Sequence, residues 1–226
     1  MIYFFSDNHY GAYPGRRIYE SLPDELRQSI IFTVDHWDIL ENGEWEKDCE
    51  LLILHMIGDT CGQPHPGSEA EKAIKKYCSR GGNILLLHGS SAAFWQWQWW
   101  RNVVGERWVR PNDPDGVCAS YHPRAPYLLK TCKARHPLVS KLIEIELPED
   151  EIYVALEHTA PSLSLMETTI NEGTFVQCSE TLTPWGGIIL NFIPGHDPSV
   201  TTHPSIIKNI TLFITYLNKS NDLSKD

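Results

Sequence analysis

Residues 50–91 read ELLILHMIGDTCGQPHPGSEAEKAIKKYCSRGGNILLLHGSS and contain two apolar runs with a helical pattern between them. The runs at 50–57 and 83–88 are almost continuously apolar, as expected of parallel strands that are buried on both faces. Between them, apolar residues recur at the spacing of one helix face, at Ala70, Ala73, Ile74, Tyr77 and Cys78. A strand, an amphipathic helix and a second strand predict a right-handed parallel crossover.

The rest of the chain continues the alternation of strands and helices. Further apolar runs predict strands at 2–5, 29–34, 126–130, 151–157, 174–178 and 187–193. A final helix is predicted after Pro204, with one face formed by Ile206, Ile207, Ile210, Phe213, Ile214 and Leu217. Because no repeat or linker divides the sequence, we expect one α/β domain over residues 1–226.

The composition excludes some classes of partner. The chain has 226 residues, a net charge of -10 and 42% apolar residues, which is typical of a globular protein. The acidic charge argues against nucleic acid and against an anionic membrane, since both attract basic surfaces. The six cysteines form no C-x-x-C pair, and no export signal or membrane-spanning run is evident. We therefore expect reduced thiols and a cytoplasmic location.

Polar residues follow several of the predicted strands. Ligands of open parallel sheets bind beyond the carboxyl ends of the strands. The residues at those positions are Asp7, His9, Asp59, His88, Ser90, His196 and Asp197. A single histidine near a strand end is more often a loop or core residue than a functional one. The functional interpretation depends on His9, His88 and His196 being placed together.

The segment 73–91, AIKKYCSRGGNILLLHGSS, resembles the trehalose-utilisation (ThuA-like) family, which has a helix, a glycine pair, an apolar strand and then a histidine. Later motifs of the family resemble Trp95 to Trp100, Gly105, Trp108, His122-Pro123, ARHPLVSKL, EDEIYV and IPGHD, in that order. The resemblance extends from about residue 50 to 217. It implies a flavodoxin-like fold similar to that of class I glutamine amidotransferases, with a mostly parallel sheet and helices on both faces. It also implies a role in the catabolism of trehalose, a related disaccharide or a keto-sugar.

The strand-to-helix turn carries a cysteine nucleophile in glutamine amidotransferases, but here it carries His88. The nearest cysteine, Cys78, belongs to the preceding helix, so we expect no glutaminase activity. Ser90 and Ser91 are outside a G-x-S-x-G frame. His88 is predicted to be a general acid, a general base or a metal ligand, at a solvent-facing edge of the sheet where its loss would cost little stability.

Glu151, Tyr153 and His196 are the predicted neighbours of His88. The family resemblance favours Glu151 over Asp150, so we expect Glu151 to face the pocket and Asp150 to be more exposed. A strand starting at Glu151 would place Tyr153 on the same face as Glu151. His88, Glu151 and His196 are therefore the candidate catalytic residues.

The candidate ligand is a small-molecule carbohydrate. Trp95 and Trp99 share one face of a predicted helix, and the tryptophans that this helix exposes could stack on sugars or form a homo-oligomer interface. The candidate substrate-binding residues are Asp7, His9, Asp59, Ser90, Trp95, His122, Tyr153 and Asp197.

No metal ligand and no cofactor is assigned, because the sequence has no H-x-x-x-H or C-x-x-C spacing that would indicate a local zinc site. A divalent metal such as zinc, held by distant histidines, remains an open alternative.

Two functions remain open from the sequence. The first is an enzyme, a carbohydrate-active hydrolase, lyase or isomerase, that transfers protons with His88, Glu151 and His196. The second is a non-catalytic sugar-binding or scaffold protein that uses the same fold, since a fold does not determine a function.

Overall fold

The structure is a computed structural model that describes residues 1–60 and 62–220. Its strands are β1 (Ile2–Ser6), β2 (Ile30–Val34), β3 (Leu51–His55), β4 (Asn83–Leu87), β5 (Glu106–Arg107), β6 (Arg124–Thr131), β7 (Ile145–Glu151), β8 (Glu157–His158), β9 (Ser162–Ile170), β10 (Gly173–Leu182) and β11 (Ile188–Phe192). Its α-helices are α1 (Pro14–Ser21), α2 (Asp24–Arg27), α3 (Trp37–Asn42), α4 (Ser68–Ser79), α5 (Gln98–Arg101), α6 (Pro198–Thr201) and α7 (Pro204–Ser220). Two 3-10 helices cover Glu44–Lys47 and His88–Ala92.

Nine strands form one sheet in the order β2-β1-β3-β4-β11-β10-β9-β6-β7. The first five strands are parallel to one another, and β3 and β4 pair in parallel with α4 between them in the chain, as the sequence predicts. The other four pairings in the sheet are antiparallel, so the expectation of a mostly parallel sheet is correct for only half of it. The connection between β9 and β10 is too short for a crossover, which forces these strands to be antiparallel.

Helices cover both faces of the parallel half, and the sheet residues alternate between two cores. Leu85 and Leu87 of β4 pack with Phe213 and Leu217 of α7, in a cluster we call the α7-side core. Ile84 and Leu86 face the other way and pack with the apolar face of α4, in the α4-side core. Each fully buried aliphatic side chain of this kind stabilises the fold by about 1.5–3 kcal/mol.

Two local predictions are wrong. The strand expected at 151–157 does not form, because β7 ends at Glu151 and only an isolated bridge at Val154 and the short β8 follow. The helix expected to carry both Trp95 and Trp99 is reduced to α5, so these tryptophans do not share a helical face. Among residues 1–60 and 62–220, no helix combines the length and the hydropathy needed to cross a bilayer.

Candidate active site

Three histidines meet at the carboxyl ends of three strands in the parallel half of the sheet. His9 follows β1, His88 directly follows β4, and His196 lies four residues beyond β11. Their ring centroids are 5.4 Å apart for His9 and His88, and 5.2 Å apart for each pair that includes His196. The joint placement that the sequence argument requires is therefore present in the fold.

The ring nitrogens of these histidines point at one another. Nδ1 of His196 lies 3.3 Å from Nε2 of His9 and 3.2 Å from Nε2 of His88. Glu151 completes the group, with Oε1 3.4 Å from Nδ1 of His196 and Oε2 3.5 Å from Nε2 of His88. One nitrogen from each histidine lies within 4.8 Å of those of the other two, so the three side chains could hold a metal ion.

A hydrogen bond to the backbone holds the ring of His88 in position. Its Nδ1 lies 2.9 Å from the carbonyl oxygen of Ile193, which can only accept a hydrogen bond, so Nδ1 carries a proton. In the neutral ring Nε2 then has a free lone pair, and the hydroxyl of Tyr153 lies 3.3 Å from it. His88 is 1% exposed, which corrects the expectation of a solvent-facing edge. A 3-10 helix, His88–Ala92, starts at this residue.

The backbone is strained at two of the three histidines. His9 has φ 45° and His88 has φ 48°, in the left-handed region that residues other than glycine seldom adopt. Such conformations cost about 1–3 kcal/mol each and persist where the surrounding structure requires them, often at functional sites. The strain therefore accompanies the residues that the site brings together.

Burial keeps two of these imidazoles neutral. Burial, reinforced by the neighbouring His88 and His196, lowers the pKa of His9 to about 3. Burial, reinforced by the neighbouring His55, also lowers the pKa of His88 well below its usual value. A charged imidazole is disfavoured in both positions because it would lose its hydration. His55 is a fully buried residue whose ring lies 5.8 Å from that of His9, and burial lowers its pKa to about 3 as well.

Of the two neighbouring acids, Asp150 is the more buried, which is the reverse of the predicted order of exposure. Glu151 lines the pocket, as expected, with 8% exposure, whereas Asp150 is 0% exposed and not the more exposed of the two. The Asp150 carboxylate accepts hydrogen bonds from the backbone N–H groups of Gly195, His196 and Asp197. Burial raises the pKa of Asp150, against the lowering effect of those N–H groups. Asp150 thus holds the turn that carries His196.

The pocket above the histidines has a volume of about 250 Å³. Its wall combines aromatic rings with ionisable groups: the ring of Trp108 lies 4.5 Å from that of Tyr153 and 5.4 Å from that of His122. Nδ1 of His122 lies 3.5 Å from Oε1 of Glu151. The lining residues are His9, Tyr10, Ile57, Thr60, Ala92, Trp108, Arg110, Pro111, His122, Glu151, Tyr153 and His196.

Three of the sequence candidates, Asp7, Ser90 and His88, lie beneath the pocket and do not line it. Asp7 accepts hydrogen bonds from the backbone N–H groups of His9 and Ile57, and burial raises its pKa to about 6. The hydroxyl of Ser90 accepts a hydrogen bond from the backbone N–H of Met56. The structure gives Asp7 and Ser90 a supporting position, holding the strand ends that carry the site.

Three other candidates lie beside the pocket. Asp59 accepts hydrogen bonds from Nε1 of Trp95, at 2.8 Å, and from Arg110, at 2.6 Å. The guanidinium of Arg110 lies 5.2 Å from the centroid of the Trp95 ring. Asp59 and Trp95 thereby position Arg110, which does line the pocket. Asp197 caps α6 and lies 3.3 Å from Arg124.

Sequence reasoning missed several lining residues, including Ile57, Ala92, Arg110 and Pro111. Arg110 lies in a segment with no periodic pattern, so only its proximity to Trp108 in the sequence could have drawn attention to it. The segment is held in place by the buried Arg107, which bonds to Asp113 and Glu157. That network joins residues 50 positions apart and has no local signature.

The turn after β4 does not carry a thiol. Cys78, the nearest cysteine in the sequence, is 1% exposed on the inner face of α4. Burial raises the pKa of its thiol to about 12, which suppresses the reactive thiolate.

Residues 32–216 match the model of the ThuA family, described as trehalose utilisation. The chain belongs to the ThuA family. The match covers most of the chain, including His88, Glu151 and His196, and it confirms the family resemblance seen in the sequence motifs. No curated protein is similar enough in sequence to count as a match.

Solved structures of ThuA-like proteins have the same fold. One from Parabacteroides merdae has a TM-score of 0.78 at 14% identity, over 97% of this chain and 89% of its own. Another, from Bacteroides uniformis, has a TM-score of 0.68 at 12% identity, over 93% and 87% of the two chains. A cytoplasmic protein from Salmonella typhimurium has a TM-score of 0.57 at 13% identity, over 94% and 98%. At these identities the likeness concerns the fold alone.

Proposed function

We propose that this ThuA-family protein is an enzyme of carbohydrate utilisation in which Glu151 transfers a proton. The observation that carries the proposal is the position of Glu151, on the pocket wall and within 3.5 Å of ring nitrogens of both His88 and His196. The description of the family as trehalose utilisation supports a carbohydrate as the substrate.

The chemistry of the pocket wall supports the same class of substrate. Sugars have apolar ring faces that stack on aromatic side chains and hydroxyl groups that need hydrogen bonds. Trp108 and Tyr153 supply aromatic surface, while His122 and Arg110 supply polar groups. The volume of about 250 Å³ is at the small end of ligand pockets, which favours one sugar unit as the bound group.

Hydrolysis, elimination and isomerisation of a sugar all require a proton to be taken from one atom and delivered to another. Glu151 is the carboxylic acid among the residues that line the pocket, and it contacts ring nitrogens of His196 and His88. A positioned acid–base group contributes about 100- to 10,000-fold in rate. We assign the proton transfer to Glu151 and a positioning role to His88 and His196, whose ring nitrogens contact its carboxylate.

A panel of disaccharides and their keto derivatives tests the proposal. The purified protein is incubated with trehalose, maltose, sucrose and the corresponding keto-sugars, and each mixture is followed by proton NMR. We expect product from at least one member, and binding to be visible as line broadening of that same sugar. Failure of every sugar to bind would contradict the carbohydrate assignment.

The alternative is a non-catalytic sugar-binding protein. It is favoured by the low pKa values of His9 and His88, because a group that binds protons so weakly is a poor acid or base near neutral pH. Binding of a sugar without any product in the NMR experiment would support this alternative over the enzyme.

We also propose a flavodoxin-like arrangement for the parallel half of the sheet, similar to that of class I glutamine amidotransferases. With β11 counted as the fifth strand, the parallel strands have the order 2-1-3-4-5 that characterises flavodoxin-like sheets. Because His88 replaces the cysteine nucleophile of those enzymes, incubation with glutamine should release no glutamate. A cytoplasmic location is proposed as well, since a structurally similar protein from Salmonella typhimurium is described as cytoplasmic.

A further inference from the structure

We propose that His9, His88 and His196 bind one divalent transition-metal ion that prefers tetrahedral coordination, such as Zn²⁺, at the floor of the pocket. The inference deepens the proposed function and rests on it only for what the ion does to a substrate. The binding itself is argued from the geometry of the three side chains.

Two of the three distances between the ring nitrogens, both measured from Nδ1 of His196, are those of a tetrahedral metal site. With Zn–N bonds of about 2.0–2.1 Å, two ligand atoms of a tetrahedral ion lie about 3.3–3.4 Å apart. Nδ1 of His196 lies 3.3 Å from Nε2 of His9 and 3.2 Å from Nε2 of His88. The nitrogens are therefore spaced as neighbouring ligands around one ion.

Hydrogen bonds alone do not account for this arrangement. Nε2 of His88 carries no proton when the ring is neutral, because Nδ1 donates to the carbonyl of Ile193. Nδ1 of His196 thus faces both Nε2 of His88, which carries no proton, and the carboxylate of Glu151. In the neutral ring Nδ1 of His196 carries at most one proton, so it can donate to one of these two neighbours and not to both. A cation at the centre makes all of these contacts favourable.

The surroundings hold each ligand in position. A metal-binding histidine usually donates its other ring N–H to a carbonyl or carboxylate, as Nδ1 of His88 does to Ile193. The backbone N–H of His196 is held by Asp150, and that of His9 by Asp7. A metal also binds imidazole in its neutral form, and the burial of His9 and His88 disfavours the charged form.

The position of the ion leaves one side open. His9 and His196 line the pocket, whereas His88 lies beneath it, so an ion between them faces the cavity. Three protein ligands and an open fourth position are characteristic of catalytic rather than structural zinc sites. A metal there would polarise a hydroxyl or carbonyl oxygen of the sugar and leave the proton transfer to Glu151, because the imidazole lone pairs would be engaged.

The test measures metal binding in the absence of any sugar. The full chain is stripped with a chelator, dialysed and titrated by calorimetry with Zn²⁺, Co²⁺ and, for comparison, Mg²⁺. We expect one Zn²⁺ or Co²⁺ per chain, no binding of Mg²⁺, and the intense visible absorption of tetrahedral cobalt. An octahedral cobalt spectrum or no bound ion would overturn the proposal.

Asparagine variants assign the ligands. Asn tolerates the left-handed backbone of His9 and His88, so His9→Asn and His88→Asn remove Nε2 with little added strain. His196→Asn changes a side chain that is 27% exposed, so we expect this variant to fold even if the two buried positions do not tolerate substitution. Each should weaken Zn²⁺ binding by more than the roughly 10- to 100-fold lost when an outer-shell partner is removed.

His122→Gln is the matched control, since His122 lies in the same pocket and near Glu151 but is not one of the three histidines. It should bind Zn²⁺ within about 3-fold of the parent chain. Equal affinity in the three asparagine variants and the parent would overturn the site. The titration contains no sugar, so a failure to bind metal would contradict the metal site and not the proton-transfer proposal. A lack of turnover in the NMR panel would contradict the proton-transfer proposal and not the metal site.

Discussion

At the scale of single residues, burial decides what a side chain near the site can do. His88 and Asp150 are buried and hold neighbouring backbone groups, whereas Glu151 and His196 reach the pocket. Among the histidines and the carboxylic acids alike, the more buried residue holds the backbone and the less buried one is available to a ligand. Two substitutions distinguish these roles.

Replacement of His88 is expected to cost stability as well as function, in contrast to the expectation from the sequence. His88→Ala removes a fully buried ring and leaves the carbonyl of Ile193 without its donor, at a cost of about 1–3 kcal/mol in the free energy of unfolding. His88→Asn keeps an N–H attached at the same branch point as Nδ1 and should lose less. Urea denaturation measures both, and an alanine variant as stable as the parent would contradict the anchoring role.

Glu151→Gln should retain the fold and lose turnover. The amide has nearly the shape of the carboxylate but cannot exchange a proton, so the rate should fall about 100- to 10,000-fold. Glu146→Gln is the control, because Glu146 is an exposed acid on the same strand. The sugar that gives product in the NMR panel serves as substrate. A Glu151→Gln variant that turns it over at the parent rate would remove Glu151 from the proposed mechanism.

At the scale of elements, the site depends on turns that hold its residues from outside the pocket. The turn after β11 is fastened to the end of β7 through Asp150, and the segment between α5 and β5 is fitted against β10 at Gly105. Neither fastening touches the pocket directly. Substitutions at Asp150 and Gly105 test these contacts through their effect on the stability of the protein.

Asp150→Asn should destabilise the protein. One carboxylate oxygen accepts from Gly195 and the other from His196 and Asp197, so an amide NH₂ in either position faces N–H groups that it cannot accept from. An unsatisfied buried group of this kind costs about 1–3 kcal/mol in the free energy of unfolding. Thermal and urea denaturation are compared with those of Glu146→Gln. Unchanged stability of Asp150→Asn would show that this turn is not held as described.

Gly105→Ala should be more destabilising than Gly116→Ala. Both glycines have positive φ, of 87° and 71°, and a side chain there costs about 1–2 kcal/mol in strain. A Cβ at Gly105 would overlap Oγ1 of Thr181, whereas a Cβ at Gly116 meets no atom within 4 Å. The difference in urea midpoint between the two variants isolates the crowding, and equal midpoints would contradict it.

At the scale of the whole molecule, the α7-side core joins the two halves of the sheet. It includes Leu85 of the parallel half and Leu129 and Leu165 of the antiparallel half, all buried in one cluster. Since the halves share a core, neither can unfold without exposing apolar surface of the other. The single domain expected from the sequence should therefore behave as one cooperative unit.

Two probes of unfolding should give the same midpoint. Tryptophan fluorescence reports mainly on the α4-side core, because six of the eight tryptophans belong to it or pack against it. Far-UV circular dichroism reports on the whole sheet, including the antiparallel half. Coincident urea transitions are expected for one domain. Two separated transitions would show that the halves unfold independently.

The sequence by itself determined the parallel half of the fold and the group of histidines. Both follow from local patterns: apolar runs predict β1, β3, β4 and β11, and the residue that follows each run must lie at the carboxyl edge of the sheet. The family motifs added Glu151 and Tyr153, which line the pocket with His9 and His196. Their functional roles remain predictions.

Only the tertiary structure decided the antiparallel half, the burial of His88 and Asp150, and the convergence of the ring nitrogens. The missed strands β7 and β9 alternate polar and apolar residues and are specified by their pairing partners rather than by a continuous apolar run. His9 and His196 are 187 positions apart, and His88 and Ile193 are 105 apart. No local pattern records such contacts, because they are created by the packing of distant segments around a shared core.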